Sequence, residues 1–288
     1  MSSILTLNST HLVQNSFNNI LRYDFPGSSV NFTDCEIAIQ SINMYNSQFN
    51  IDAVAYGNNT FSIQMPTGST FSTINVTLKD GYYNYVDINR VIQENLVSAG
   101  AYLIDATGNN VFFVQLSANS TYYAAQLDLA VVPSTLGTYT RPATGLYSAG
   151  GGGLPSSACT PKFVNSNAEF AKIIGYALAT FPSTTQTTAQ SFLSTIIPQI
   201  APSSSYILRC SLVRNPYSMP PDVLTTFNSK GTSVGQQISY APNNYSFMPI
   251  PNGSYATIQL TIVDQLERFP RFRDTNMLIT LLIRKKQS

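Results

Sequence analysis

The stretch ATIQLTIVDQLERFPRFRDTNMLITLLI, residues 256–283, decides the fold. Ala256, Ile258, Leu260 and Ile262 form one apolar stripe, and Met277, Ile279, Leu281 and Ile283 form another. Period two is the spacing of a strand with one face in a core and the other in water. The same period recurs upstream. Val30 and Phe32, then Ile37 and Ile39, open a long β-like segment reaching Met44. Phe61, Ile63 and Met65 alternate with polar residues, as do Ile74, Val76 and Leu78. Residues 111–116 are β-branched and aromatic, while 123–131 and 206–212 alternate again. About eight strands result, separated by Gly, Pro, Asn and Ser clusters.

One segment changes period. Ile88, Val91, Ile92 and Leu96 lie on one face of a helix, with Asp87 as its expected N-cap and Gly100 past its end. A second short helix is expected over Asn167 to Leu178, with Phe170, Ile173 and Ile174 inward. Three long connections remain: Pro133 to Lys162, Pro182 to Ser205 and Asn215 to Ser254. Such lengths inside a domain usually serve binding. No repeat or linker divides the chain. It reads as an N-terminal arm, 1–21, and one domain, 22–288, with a long loop insertion at 133–165. The expected class is all-β: a single jelly-roll β-sandwich of about eight antiparallel strands, with one or two short helices and long loops. An immunoglobulin-like sandwich fits less well, because Trp is absent and the helix has no place there.

Composition narrows function. Only 10% of the 288 residues are charged, against roughly 25% in an average domain. Ser, Thr and Asn number 33, 28 and 25, so hydroxyls and amides must wet the surface. A net charge of +1 argues against a general nucleic-acid binder. One histidine excludes a multi-histidine metal site. Cys35, Cys159 and Cys210 fit neither a disulfide framework nor a zinc pattern, and read as buried thiols. No signal-peptide run or spanning helix is seen. Several sequons occur, for example at Asn31, Asn75, Asn119 and Asn252, about as many as this composition supplies by chance.

Local constellations point away from catalysis. His11 has no carboxylate or nucleophile beside it in sequence and reads as a loop or arm residue. Asp34 and Glu36 share a strand face but not a cleft, which glycosidase chemistry needs. Gly150 to Gly153 lacks the Lys-Ser/Thr of a phosphate loop and reads as a flexible loop tip. The densest charge cluster is Asp264, Glu267, Arg268, Arg271, Arg273 and Asp274. Its Arg and Phe content makes Arg268, Phe269, Arg271, Phe272 and Arg273 candidate subunit-interface residues. Arg284, Lys285 and Lys286 form a candidate basic tail. It either solubilises the last strand or makes a weak contact with nucleic acid or an acidic partner.

Four ordered regions resemble the penton (minor capsid) proteins of virophages and polinton-like viruses. The first is Arg22-Tyr23-Asp24-Phe25-Pro26-Gly27-Ser28 with Ile37 to Tyr45 and Phe49-Asn50-Ile51. The second is Lys79-Asp80-Gly81-Tyr82-Tyr83 with the helix from Asp87, and the third is Phe170 to Tyr176. The fourth runs from Tyr206 through Asn215 to Ile238, then Ile258 to Gln265 and Asp274 to Arg284. The loop from Pro133 to Lys162 matches nothing in the family. The resemblance implies a homopentamer at each icosahedral vertex of the virion, surrounded by double jelly-roll major capsid proteins. It implies a structural role with no catalysis and no cofactor. The long loops are then expected to line the outer face or the five-fold channel. The alternative is a viral attachment or carbohydrate-binding β-sandwich, whose groove the 17 Tyr and abundant Asn would line.

Overall fold

Ser2–Asn8 is a strand (β1), not a free arm. It runs antiparallel to the last strand of the chain, with Leu5 opposite Leu281 and Leu7 opposite Ile279. Leu7 is fully buried. Two leucines two apart suffice to dock a strand that is otherwise Ser, Thr and Asn. A 3-10 turn follows at Ser9–His11, where His11 Nδ1 accepts the Asn8 N–H at 3.1 Å. His11 therefore fastens a turn against the Tyr23 ring, 5.3 Å away. Next come β2 (Ile20–Asp24), β3 (Val30–Phe32) and β4 (Cys35–Tyr45).

The computed structural model describes every residue except Met1, Ser16, Pro202, Lys230, Gln287 and Ser288. The chain divides into two compact units: unit 1 is Met1–Phe49 with Ser203–Ser288, and unit 2 is Asn50–Pro202. The single-domain reading is corrected to that extent. Chain length and strand count do not reveal that both ends return to one core.

Unit 2 begins with the hairpin β5 (Thr60–Thr67) and β6 (Thr70–Thr77), then α1 (Tyr85–Ser98). The N-cap of α1 is Asn84, whose side chain accepts the Asp87 N–H; Asp87 returns the bond to the Asn84 N–H. Asp87 is thus the third residue of a capping box rather than the cap. Gly100, at φ +61°, follows the helix as expected. The chain continues through β7 (Leu103–Ile104), β8 (Asn110–Val111), β9 (Val114–Asn119), β10 (Ala124–Leu129) and β11 (Lys162–Asn165). Then come α2 (Ala168–Ile174), β12 (Ala179–Phe181) and β13 (Gln190–Leu193). Asn167 caps α2 and Gly175, at φ +73°, stops it four residues after Ala171. The sheets are β12-β11-β5-β6, β13-β10-β9 and β7-β8. Ile88, Ile92 and Leu96 of α1 share a core with Phe61, Phe163 and Phe170. The Phe61 and Phe170 rings stack at 4.7 Å.

The 133–165 insertion is not a surface loop throughout. Tyr147 at its middle is fully buried in the unit 2 core and donates its hydroxyl to Pro66 O at 2.9 Å. Backbone bonds from Leu146 and Tyr147 to Ala99 O and Gly100 O tie it to the end of α1. Gly150 to Gly152 form an exposed turn, as expected of a loop tip, and only Gly151 and Gly152 are closely approached, a Cβ on Gly151 lying 2.0 Å from Gly145 O. The insertion's end is strand β11, paired to β5.

Back in unit 1, the chain forms β14 (Tyr206–Cys210), β15 (Val223–Phe227), β16 (Gln237–Tyr240) and β17 (Met248–Pro249). It ends with β18 (Gly253–Tyr255), β19 (Thr257–Asp264) and β20 (Met277–Lys285). One sheet runs β1-β20-β4-β16 with β17 also on β4, the other β15-β14-β19-β2, and β18 pairs β3. All are antiparallel. Both sheets feed one core, which includes Leu7, Ile37, Ile42, Leu208, Leu260, Ile262, Ile279 and Leu281. In β4 the inward parity switches from Ile37 and Ile39 to Ile42 and Met44. The register shifts there: Ile39 faces Leu281 and Ser41 faces Thr280, leaving Gln40 as the extra residue of a bulge. The protein is all-β in class, with two α-helices among the described residues.

Candidate assembly surfaces

The connection from β19 to β20 carries the predicted interface residues. Asp264, fully buried, organises it: Oδ1 accepts the N–H of Leu266 and Arg268, and Oδ2 accepts Arg268 Nε at 2.8 Å. Arg268 is therefore a pairing partner within its own loop. Phe272 is fully buried, its ring 5.6 Å from Tyr206, and its backbone N–H bonds Phe17 O. As an interface side chain it is a misreading, because Arg-Phe alternation does not reveal which Phe turns inward. Phe269 is 52% exposed and Leu266 58%, forming an apolar tip. Arg271 is half-buried. Arg273 is exposed and lies 4.7 Å over the Phe49 ring. The loop is anchored toward its β20 end: Asn18 Nδ2 donates to Phe272 O at 2.8 Å, and the Asp274 N–H donates to Ser47 Oγ at 3.0 Å. The structure brings the five predicted residues onto one loop but leaves only Phe269 and Arg273 well exposed.

The predicted basic tail is the end of a strand. Arg284 and Lys285 pair in register with Glu36 and Cys35, and the Lys286 N–H bonds Asp34 O at 2.7 Å. Arg284 Nε donates to Glu36 Oε1 at 2.6 Å, and its guanidinium lies 3.5 Å over the Phe247 ring. That corrects the free-tail reading for Arg284, whose charge is held by Glu36. Lys285 and Lys286 are exposed. Beside them, Leu5, Phe25, Val30, Phe32, Cys35 and Ile283 line an open groove of about 340 Å³.

Other surface features carried no sequence signal, since exposure depends on what packs above. Tyr217 and Met219, 96% and 93% exposed, project from the β14–β15 connection. In unit 2, Tyr85, Tyr123, Ala124, Pro198 and Ile200 line a shallow cavity of about 170 Å³. Burial and the nearby Tyr123 push the Tyr85 phenol up to about 12. Burial pushes the Cys210 thiol up to about 12 and raises Cys159; neither sits in an activated setting. Among the described residues no group of three His, Cys, Asp or Glu side chains is placed to hold a metal, and no helix is long and apolar enough to cross a membrane.

No protein-family model matches the chain, and no curated protein matches it. Among solved structures, it is similar to the mavirus penton protein at 10% identity and a TM-score of 0.43, over 98% of each chain. It is similar to a chain in a structure of the Sputnik virophage at 11% identity and the same TM-score, over 99% of this chain and 98% of that one.

Proposed function

We propose that this chain is a structural capsid subunit built on a single jelly roll, five copies of which close a capsomer at the icosahedral vertex of a virophage-like or polinton-like virion. One observation carries the fold reading. Number the sandwich strands of unit 1 in chain order: β1, β2, β4, β14, β15, β16, β19, β20. First pairs with eighth, second with seventh, third with sixth, and fourth with fifth. That is an antiparallel ribbon folded end to end. The pairs eighth–third and seventh–fourth then join its halves into two four-stranded sheets. Wrapping one long hairpin in this way produces the double Greek key of a jelly roll. In this reading unit 2 is an insertion between the third and fourth strands.

The sequence resemblance supplies the vertex. The chemistry of the surface agrees with it: contacts rich in Ser, Thr and Asn desolvate few charges. A heterologous contact that closes after five rotations gives a ring. The ring's neighbours would be double jelly-roll major capsid proteins. The test is native mass at several salt concentrations. A species of five 31.5 kDa subunits, little changed by salt, is expected. A stable dimer or trimer would overturn the vertex reading.

A further inference from the structure

Antiparallel sheets in monomers blunt their edges with charges, proline, bulges or brevity. Two edges here have none of these. β1 ends one unit 1 sheet and β6 ends one unit 2 sheet, and no further strand pairs with either among the described residues. At seven and eight residues they are the longest edge strands of the four larger sheets. Neither holds a charged residue or a proline. The other edges of these sheets are each managed: β2 carries Arg22 and Asp24, β15 has a bulge at Leu224, the Leu116 N–H of β9 donates to Asn89 Oδ1 of α1, and β12, β13 and β16 have three or four residues. Each strand bonds its one neighbour through every second residue, so the alternate N–H and C=O groups of β1 and β6 face outward.

The side-chain patterns also match. β1 turns Leu5 and Leu7 inward and exposes Ile4 and Thr6. β6 turns Ile74 and Val76 toward its core and exposes Thr73, Asn75 and Thr77. A sheet continued from one to the other keeps an apolar and a hydroxyl face. Charge selects the combination. Unit 1 holds ten Lys/Arg and seven Asp/Glu, and unit 2 five and seven, so their formal charges are +3 and −2. Pairing β1 with β1, or β6 with β6, brings like-charged units together; pairing β1 with β6 brings opposite ones together.

We infer that copies of this chain associate by strand addition, β1 of one copy pairing with β6 of the next. The contact is heterologous, so it propagates from copy to copy and makes a ring where the rotation between copies closes. The inference rests on the self-assembly reading above and specifies its contact.

Two variants test it: I4K/T6K blocks the β1 edge, and T73K/T77K blocks the β6 edge. All four positions are exposed, so each chain folds, which circular dichroism checks. Each variant alone is expected to be monomeric, its self-association weakened by about a hundredfold as several strand hydrogen bonds are lost together. Mixed one to one, they form a dimer and nothing larger, since each supplies the edge the other lacks. Hydrogen exchange of the unmodified chain gives a second reading: β1 and β6 amides gain protection on concentration into the oligomer. A pentamer that survives both variants with these amides unprotected overturns the strand pairing and leaves the ring reading intact. A mixture that stays monomeric overturns the β1–β6 pairing. An unmodified chain monomeric throughout the concentration series removes both.

Discussion

Tyr147 separates a surface loop from a core segment. In sequence it sits in a glycine-rich connection whose charges are only Arg141 and Lys162; in the fold its ring is fully buried among the unit 2 core residues and its hydroxyl bonds Pro66 O. Truncating a buried aromatic residue to Ala costs about 3–5 kcal/mol. Tyr147→Phe keeps the ring and leaves a strand carbonyl without its donor, at a cost of about 1–2 kcal/mol. Unit 2 spans 153 residues, for which each kcal/mol shifts the midpoint by about 2–4 °C. Tyr147→Ala should therefore lower the unit 2 transition by about 6–20 °C, and Tyr147→Phe by about 2–8 °C. Urea unfolding followed by far-ultraviolet circular dichroism, with calorimetry to resolve the two units, reads both. Chymotrypsin supplies an independent check: cleavage at Tyr147 should be slow in the parent chain, since the site must open first. If both substitutions stayed within about 0.5 kcal/mol, as surface changes do, and the parent chain were cut at once, the burial argument would fail.

Leu7→Ala should destabilise unit 1 by about 2–5 kcal/mol in denaturant titration; a neutral result would return residues 2–8 to an arm. Phe272→Ala should cost about 3–5 kcal/mol, whereas Phe269→Ala should leave monomer stability unchanged and alter only self-association; reversal of that order in paired melts would invalidate the placement of the loop. Unfolding free energy should fall as pH rises from about 9 to about 12: Cys210 and Tyr85, held protonated in the fold up to about 12, ionise earlier once unfolded, from the ordinary 9 and 10. Below pH 9 these groups contribute no slope, and stability rising through the alkaline window would contradict their burial. Toward an aromatic disulfide reagent, Cys35 should react first, and the buried Cys159 and Cys210 only as the fold opens.

Period-two alternation survives translation into structure because a strand needs only one apolar face, and that is written locally. Residues 35–45, 60–67, 206–210, 257–264 and 277–285 were legible for that reason. So were the two helices, although the cap of the first is Asn84, three residues before the expected Asp87. Short or polar strands were missed: Ser2–Asn8 and Gln237–Tyr240 have too few apolar residues to display a period, and their pairing comes from β20 and β4. The strand total agreed with one sandwich partly by coincidence. Four of the segments read from the sequence, at 61–65, 74–78, 111–116 and 123–131, belong to unit 2. Four of the eight sandwich strands of unit 1 were not among those read.

The candidate interface shows the same division. Composition and charge spacing marked the 264–274 loop, but which residues face water follows from Asp264 capturing Arg268 and from Phe272 packing on Tyr206. The sequence by itself determined the β class, the helix positions and the charge-poor surface, because these follow from side-chain chemistry at neighbouring positions. Only the tertiary structure decided that the two chain ends share one sandwich, that Tyr147 is core, and that β1 and β6 are left with open edges. Each depends on a partner dozens to hundreds of residues away, and burial is a property of that partner's presence rather than of local sequence.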